Sequence, residues 1–444
     1  MKKRNVKFIL ASLVFVALFT SILMSCDSKT VTIENALLDL DGGTYTELES
    51  RQPFNSVYEL HFRQPLDHSN PDAGYFTQKV YVSHIDSIRP VVFITEGYTA
   101  NRPYQSELSR LTEANQIIVE HRFFGESIPD PKDWKYLTVE QAANDHHKIV
   151  EFFKKVYTGK WINTGISKGG QTTMYHRYFF PDDVDVSVPY VGPLNFSFDD
   201  PRTYLFLDTV GTPECRQKVY DYQAMMLKKR DIFYPMFVSY CESKNQNYTR
   251  VSQEEAYEYS ILEYSFAFWQ WGRWTCEEIP NEASSNEEIF DHFKAVSGFQ
   301  YFSDQGILDL EPFFYQAMTE IGYYGYDFSE FEGLLEFVTN PIFTFAAPQD
   351  VELVYDFQIM KDVNSYLQSE GDNFIYIYGG SDTWSSTSVE IGDKTNALKI
   401  YKEGGAHNTR ISNLPNNQKE LVVSTLENWL EMDIDISKIE RKRR

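Results

Sequence analysis

Residues 90–193 alternate between apolar, strand-like runs and segments with helical spacing, and this alternation constrains the fold more than any other feature. The apolar runs are short and rich in β-branched residues, as buried strands are. We predict strands over 90–100 and 116–122, from Trp161, and over 184–193, alternating with helices over 106–115, 139–157 and 168–180. Strands joined in this order by helical crossovers form a mostly parallel sheet with right-handed connections. The chain is therefore expected to be an α/β protein.

The alternation stops in the middle of the chain and resumes near its end. From about residue 200 to 340 the strand signals vanish, and the sequence becomes aromatic, acidic and helical in pattern. Further elements are two strands at 57–68 and 74–85, a helix near 356–371, strands at 373–380 and 397–405, and a helix at 419–432. We therefore predict an α/β core in two parts, 57–199 and 341–435, with a helical cap at 200–340 inserted between them.

A targeting segment opens the chain. Basic residues precede an apolar run that ends in Leu-Met-Ser before Cys26, which resembles a bacterial lipobox. We predict a lipoprotein signal at 1–25, lipidation of Cys26, a tether over 26–56 and a basic tail over 436–444. A plain secreted protein is the alternative; a transmembrane anchor is disfavoured, since polar residues interrupt the run before the ~20 residues a span needs. The protein is expected in the bacterial cell envelope, attached to the membrane only through this lipid.

The net charge restricts the partners. It is −23 over the whole sequence, and such a surface repels nucleic acid and anionic lipid headgroups. It attracts cationic ligands, of which the free amino terminus of a peptide is one. Solubility is an equally good explanation for the same charge.

Three cysteines remain after the lipobox, at Cys215, Cys241 and Cys276. None belongs to a Cys-x-x-Cys pair or lies near histidines at zinc spacing, so we predict no metal site. One disulfide among the three is expected in an oxidising compartment, with the pairing left open.

The stretch Gly165-Ile166-Ser167-Lys168-Gly169 lies where a predicted strand meets a predicted helix. A nucleophile held on such a sharp turn needs small residues two before and two after it, because the helix packs close behind. Ser167 is therefore the candidate nucleophile. A glycine-rich turn without chemistry is the alternative, and the motif by itself does not decide between them.

A serine nucleophile needs a base, and the base needs an acid that orients it. Asp382 follows the predicted strand 373–380, and His407 follows the next one, so both fall in glycine-rich loops where open α/β sheets carry their sites. Their order after Ser167 is that of an α/β-type serine hydrolase, which His121 breaks because it comes earlier. We predict a catalytic triad of Ser167, Asp382 and His407, which uses no cofactor.

Backbone N–H groups are the expected stabilisers of the oxyanion. The N–H of Lys168 lies at the start of the helix that follows the nucleophile. A second donor usually comes from the loop after an earlier strand, here Thr95-Glu96-Gly97-Tyr98. Gly97 and Tyr98 are both candidates, and an ordinary strand-end turn is the alternative for Gly97.

Several blocks together make the chain resemble the secreted bacterial tripeptidyl aminopeptidase family, which is related to the lysosomal prolyl carboxypeptidase and dipeptidyl-peptidase II family. The blocks are VEHRFFGES (119–127), YLTVEQAANDH (136–146), TGISKGGQT (164–172), TPECRQKV (212–219), EYSFAFWQWG (263–272) and GGAHNTR (404–410). The resemblance implies an α/β-hydrolase core with a helical cap that restricts substrates to chain ends. It also implies the same triad. The divergent cap leaves the length of the released peptide and the preferred residue at the cut open.

An aminopeptidase must hold a cationic amine at a fixed distance from the nucleophile, which buried carboxylates do well. Glu263 and Glu96 are the candidates. For Glu120 we expect instead a structural ion pair with Arg122 or another core arginine. Trp269 and Trp271 are expected to pack between cap and core rather than to line the cleft.

These features predict a serine exopeptidase that hydrolyses peptide bonds near free amino termini through an acyl-enzyme. A lipase or esterase on the same fold is one alternative. A carbohydrate-binding surface lipoprotein without catalysis is another, but it gives no reason for serine, aspartate and histidine in this order after strands.

Overall fold

Nine strands form one sheet in the computed structural model, which describes residues 31–439. In chain order they are β1 (Thr44–Leu48), β2 (Ser56–Pro65), β3 (Tyr75–His84), β4 (Val91–Thr95), β5 (Asn115–Val119), β6 (Trp161–Ile166), β7 (Val186–Tyr190), β8 (Phe374–Gly379) and β9 (Ala397–Lys402). Their order across the sheet is β1-β2-β3-β5-β4-β6-β7-β8-β9. The pairs β1–β2, β2–β3 and β3–β5 are antiparallel and all the others are parallel, which confirms the predicted α/β-hydrolase core.

Helices cover both faces of this sheet. The α-helices of the described part of the chain, those of the cap included, are α1 (Ile33–Leu38), α2 (Glu107–Thr112), α3 (Val139–Phe153), α4 (Lys168–Phe179), α5 (Arg202–Leu207), α6 (Pro213–Lys228), α7 (Arg230–Ser243), α8 (Gln253–Trp271), α9 (Asn286–Ser297), α10 (Asp304–Gln316), α11 (Ile359–Ser369) and α12 (Asn416–Leu430). Successive residues of β4 face opposite sides: Val92 and Ile94 pack with α2 and α12, whereas Val91 and Phe93 pack with α1 and α3. Every residue of β4 is buried, which explains its unbroken apolar sequence.

The predicted cap, 200–340, contains α5 to α10, and its described residues include no strand. Its helices bury a large aromatic cluster, for example Tyr257 on α8 between Phe237 and Phe293. A disulfide joins Cys215 near the start of α6 to Cys276 after α8, while Cys241 is a buried free thiol. The structure thus selects one of the pairings that the sequence left open.

The segment predicted as a tether, 26–56, contributes to the fold in its described part. Helix α1 buries Ile33 and Leu37 against the sheet, and β1 forms its antiparallel edge. The sequence missed β1 because four of its five residues are exposed, so it has no apolar pattern. At the other end, a short 3-10 helix over Ile436–Ile439 begins the predicted basic tail.

The predicted signal sequence and Cys26 lie outside the described residues, as does the rest of the basic tail. Among residues 31–439, none of the helices has both the length and the apolar character needed to cross a membrane.

Candidate active site

Ser167 occupies the tight turn between β6 and α4. Its backbone angles are φ 57° and ψ −122°, in a region that residues with a side chain rarely adopt. A Cβ on Gly165 would lie 2.2 Å from the carbonyl oxygen of Gly169, and one on Gly169 would lie 2.7 Å from that of Thr95. The turn therefore requires glycine on both sides of a half-buried, strained serine.

Asp382 and His407 follow β8 and β9, and their side chains are in contact. Nδ1 of His407 lies 2.7 Å from Oδ2 of Asp382, and both residues are buried. Because a carboxylate only accepts hydrogen bonds, Nδ1 carries the proton and Nε2 is left as a base. Asp382 also accepts from the backbone N–H of Trp384, and the backbone N–H of His407 donates to the carbonyl of Gln270 on α8. Core and cap thus hold this pair together.

A cavity of about 770 Å³ lies between the core and the cap, and most of the predicted site residues line it. Ser167 and His407 both face this space, while Asp382 is fully buried behind the histidine. The other predicted residues on its wall are Glu96, Tyr98, Lys168 and Glu263. The arrangement can therefore hold a ligand against the serine and the imidazole at once.

The predicted oxyanion donors lie on two adjacent segments. Within residues 31–439, no hydrogen-bond acceptor meets the backbone N–H of Gly97, Tyr98 or Lys168. Tyr98 and Lys168 line the cavity, whereas Gly97 is buried against α4, where an added Cβ would lie 2.6 Å from the nitrogen of Gly169. Of the two residues that the sequence left open, the structure favours Tyr98 as the donor and Gly97 as the close-packing residue.

The side chain of Lys168 turns inward, and it is only 1% exposed. Its Nζ donates a hydrogen bond to the Gly97 carbonyl oxygen at 2.9 Å. It also lies near the faces of two aromatic rings, 5.7 Å from the Tyr98 centroid and 5.3 Å from that of Phe124. Burial holds the pKa of this amine well below its usual value, and the charge of Glu320 opposes that shift.

Glu263 is the more deeply buried of the two candidate amine ligands. It lies on α8, and its Oε2 accepts hydrogen bonds of 2.8 Å from the hydroxyls of Tyr324 and Tyr326. Burial raises the pKa of Glu263 to about 7, and the two tyrosine hydroxyls partly oppose the shift. Both hydrogen bonds end on Oε2, so Oε1 keeps its lone pairs for a ligand in the cavity.

Glu96 and Glu120 have different surroundings. Glu96 is half-buried in the cavity wall and accepts a hydrogen bond of 2.9 Å from the Tyr104 hydroxyl, and burial raises its pKa. Glu120 is fully buried and structural, as expected, but its ion-pair partner is Lys79 at 3.2 Å rather than Arg122. Arg122 pairs instead with Asp145 on α3 at 2.7 Å.

The structure adds residues that the sequence analysis did not identify. Tyr324 and Tyr326 hold Glu263 although they lie far from it along the chain, and the only sequence signal is the tyrosine-rich run at 323–326. Trp271, expected in cap–core packing, lines the cavity with its ring centroid 5.7 Å from that of His407. Trp269, also expected between cap and core, packs instead within the cap, against Gly211 and Phe268. In the described chain, no cluster of three or more histidine, cysteine or carboxylate side chains is placed to bind a metal.

Comparison with known proteins places this chain in a family. The family described as PS-10 peptidase S37 matches residues 26–440. The prolyl tri/tetrapeptidyl aminopeptidase of Streptomyces mobaraensis is 30% identical over 414 residues, which cover 91% of this chain and 86% of that protein. The lysosomal Pro-X carboxypeptidase of Bos taurus is 28% identical over 92 residues, 18% of each chain. The solved structure of proline iminopeptidase from Mycobacterium smegmatis matches with a TM-score of 0.40 and 12% identity, over 84% of this chain and 99% of that one. The chain therefore belongs to the PS-10 peptidase S37 family and is a serine-type peptidase.

Proposed function

We propose that this peptidase is an exopeptidase that cleaves short peptides from free amino termini, with Ser167 as nucleophile, His407 as base and Asp382 as the orienting acid. The observation that carries the proposal is the shared cavity: a strained serine, an imidazole oriented by a buried carboxylate, and a second buried carboxylate, Glu263, line one space. The similar Streptomyces protein, by its name an aminopeptidase that acts on tri- or tetrapeptide units, supports the same activity.

In the proposed reaction, Nε2 of His407 takes the proton of Ser167 as Oγ attacks the scissile carbonyl carbon. The carbonyl oxygen becomes an oxyanion, which accepts hydrogen bonds from the backbone N–H groups of Lys168 and Tyr98. His407 then gives its proton to the leaving amine, and the peptide bond breaks to form an acyl-enzyme. A water molecule, deprotonated by the same imidazole, hydrolyses the ester and restores the serine hydroxyl.

Glu263 is the proposed ligand of the substrate's ammonium group. Its Oε1 offers a charge-assisted hydrogen bond inside a largely apolar cap, where such a bond is strong. The two tyrosine hydroxyls fix the carboxylate in one orientation. Because α8 lies in the cap and Ser167 in the core, the cavity between them sets how many residues fit from the amine to the cut.

Chromogenic peptides with free or acetylated amino termini test this function. The proposal predicts cleavage of the free peptides, little cleavage of the acetylated ones, and loss of activity in Ser167→Ala. Ser69→Ala changes an exposed serine in the β2–β3 turn and is the matched control. Equal rates on both peptide classes would exclude the aminopeptidase assignment, and full activity of Ser167→Ala would exclude the mechanism.

We also propose that the protein is anchored to the bacterial cell envelope through lipidated Cys26. The lipobox-like sequence before that residue supports this location. Mass spectrometry of the amino-terminal peptide from a membrane fraction tests it: a diacylglyceryl-modified cysteine is expected, and Cys26→Ser should release the protein. An unmodified amino terminus starting at another residue would contradict the anchor.

A further inference from the structure

The side chain of Lys168 has no function in the reaction just described, which uses only its backbone N–H. It is nevertheless buried beside the nucleophile, and among residues 31–439 it forms no ion pair. Burying an amine without a paired charge is costly, since it gives up water for a single hydrogen bond. An apolar side chain of the same length would fill the same space at lower cost.

Its one hydrogen bond links the nucleophile's helix to the loop that follows β4. Nζ of Lys168 donates to the carbonyl oxygen of Gly97 at 2.9 Å. That carbonyl and the N–H of Tyr98 belong to one planar trans peptide, so they point in opposite directions. Holding the carbonyl oxygen therefore also fixes the direction of the Tyr98 N–H.

The next peptide of the loop is held as well. The carbonyl oxygen of Tyr98 accepts a hydrogen bond of 3.1 Å from the backbone N–H of His121. The ring of Tyr98 packs on Phe124 and Phe313, with centroids 5.4 Å and 5.8 Å away. Lys168 thus restrains the peptide on the amino side of Tyr98. The N–H of Tyr98 itself has no acceptor among the described residues.

We propose that the Lys168 side chain is a positioning residue for the oxyanion site: by holding the Gly97 carbonyl, it orients and polarises the Tyr98 N–H. A hydrogen bond to a peptide carbonyl makes the N–H of that peptide a stronger donor. The side chain acts through the Gly97–Tyr98 peptide and does not touch the substrate. This inference rests on the proposed function, because it assumes an oxyanion formed by attack of Ser167.

Lys168→Met tests the inference because methionine has nearly the same length and shape but cannot donate. We expect kcat to fall by about 10²-fold, the lower end of the loss on removing an oxyanion donor, with KM changed less than threefold. Inhibition by a peptide boronate, which forms a tetrahedral adduct with serine, should weaken by a similar factor. Competitive inhibition by the product peptide with an amidated carboxyl terminus should stay the same, since the amide places no negatively charged oxygen at the oxyanion site.

Two further variants separate positioning from a general loss of structure. Lys168→Gln keeps an N–H donor, so its kcat should lie between those of Lys168→Met and the wild type. If Lys168→Met does not fold, the glutamine variant is compared with the wild type instead. Lys148→Met is the matched control, because Lys148 on α3 also donates to a backbone carbonyl, that of Arg63 at 2.7 Å. This control should keep full activity.

The results also distinguish this inference from the proposed function. A kcat of Lys168→Met within threefold of the wild type would overturn the positioning role, as would equal weakening of inhibition by the boronate and by the amidated product peptide. A glutamine variant no better than the methionine variant would overturn it too. Activity that survives Ser167→Ala would instead refute the proposed function, whatever the lysine variants do.

Discussion

The substitution Glu263→Gln gives the sharpest test of how the substrate's amino group is recognised. Glutamine keeps the size of the side chain and an oxygen that can accept from Tyr324 and Tyr326, but it removes the charge. A hydrogen bond to a charged group contributes about 1.5–3 kcal/mol. The loss corresponds to a decrease of about 10- to 150-fold in kcat/KM for substrates with a free amino terminus. Because the amine lies away from the scissile bond, we expect most of the change in KM.

The pH dependence of binding provides a second signature. Burial raises the pKa of Glu263 to about 7 in the free enzyme, and a peptide α-amino group has a pKa of about 7.7–8.0. Only the ionised carboxylate attracts the ammonium group. As pH falls through 7, the carboxylate takes up a proton and the attraction is lost; above about 8, the amine loses its own proton. Affinity for free-amine ligands should therefore be greatest between these two values.

Competitive inhibition by a product peptide and by its acetylated form measures this effect directly. The ratio of the two inhibition constants cancels every titration that affects both ligands, so it reports the amine site alone. We expect the inhibition constant of the acetylated peptide, divided by that of the free peptide, to rise from pH 5.5 to 7 in the wild type. In Glu263→Gln the same ratio should be small and independent of pH. Glu96→Gln is the matched control, because Glu96 lines the same cavity and should change the ratio little. A flat wild-type ratio, or a loss confined to the Glu96 variant, would refute the assignment.

Three further predictions concern the rest of the site and the cap. Asp382→Asn should lower kcat by about 10⁴-fold, since the amide favours the wrong imidazole tautomer; single-turnover kinetics measure this, and a loss below tenfold would contradict the triad. Gly97→Ala should lower both activity and the free energy of unfolding, the latter by about 1–3 kcal/mol, because its Cβ would lie 2.6 Å from the Gly169 nitrogen. Unfolding in urea should detect the change, and an unchanged midpoint would argue against the close contact. Replacing Cys215 and Cys276 with serine should cost about 2–4 kcal/mol of cap stability; calorimetry checks this, and unchanged unfolding would show that cap packing suffices without the disulfide.

The parts of the fold that the sequence predicts are those determined by local pattern. The apolar run before Thr95 forms β4, and the strand–turn–helix around Ser167 follows from the two glycines that flank it. Strand β1 was not predictable in this way. Its residues are mostly exposed, so only pairing with β2 identifies it as a strand.

The residues of the site likewise fall into those that a local sequence pattern predicts and those that it does not. Ser167 and His407 could be located because each follows a recognisable strand in a fixed order. The partner of Glu120 could not, since β3 and β5 come together only in the sheet, where Lys79 becomes its neighbour. The tyrosine ligands of Glu263 are of the same kind, because contacts between distant segments of a helical cap leave no periodic signal.

The cap is inserted in the sequence between β7 and β8, which are neighbours in the sheet, and this affects how the chain folds. Pairing of β7 with β8 closes a loop of about 180 residues, and such long-range pairing is slow. Folding of the cap on itself shortens that loop, so we expect β8 and β9 to join a sheet that already contains Ser167. Asp382 and His407 arrive only with these last strands. Under the proposed mechanism, we therefore expect the growing chain to be unable to cut peptides, its own included, until β8 and β9 have joined the sheet.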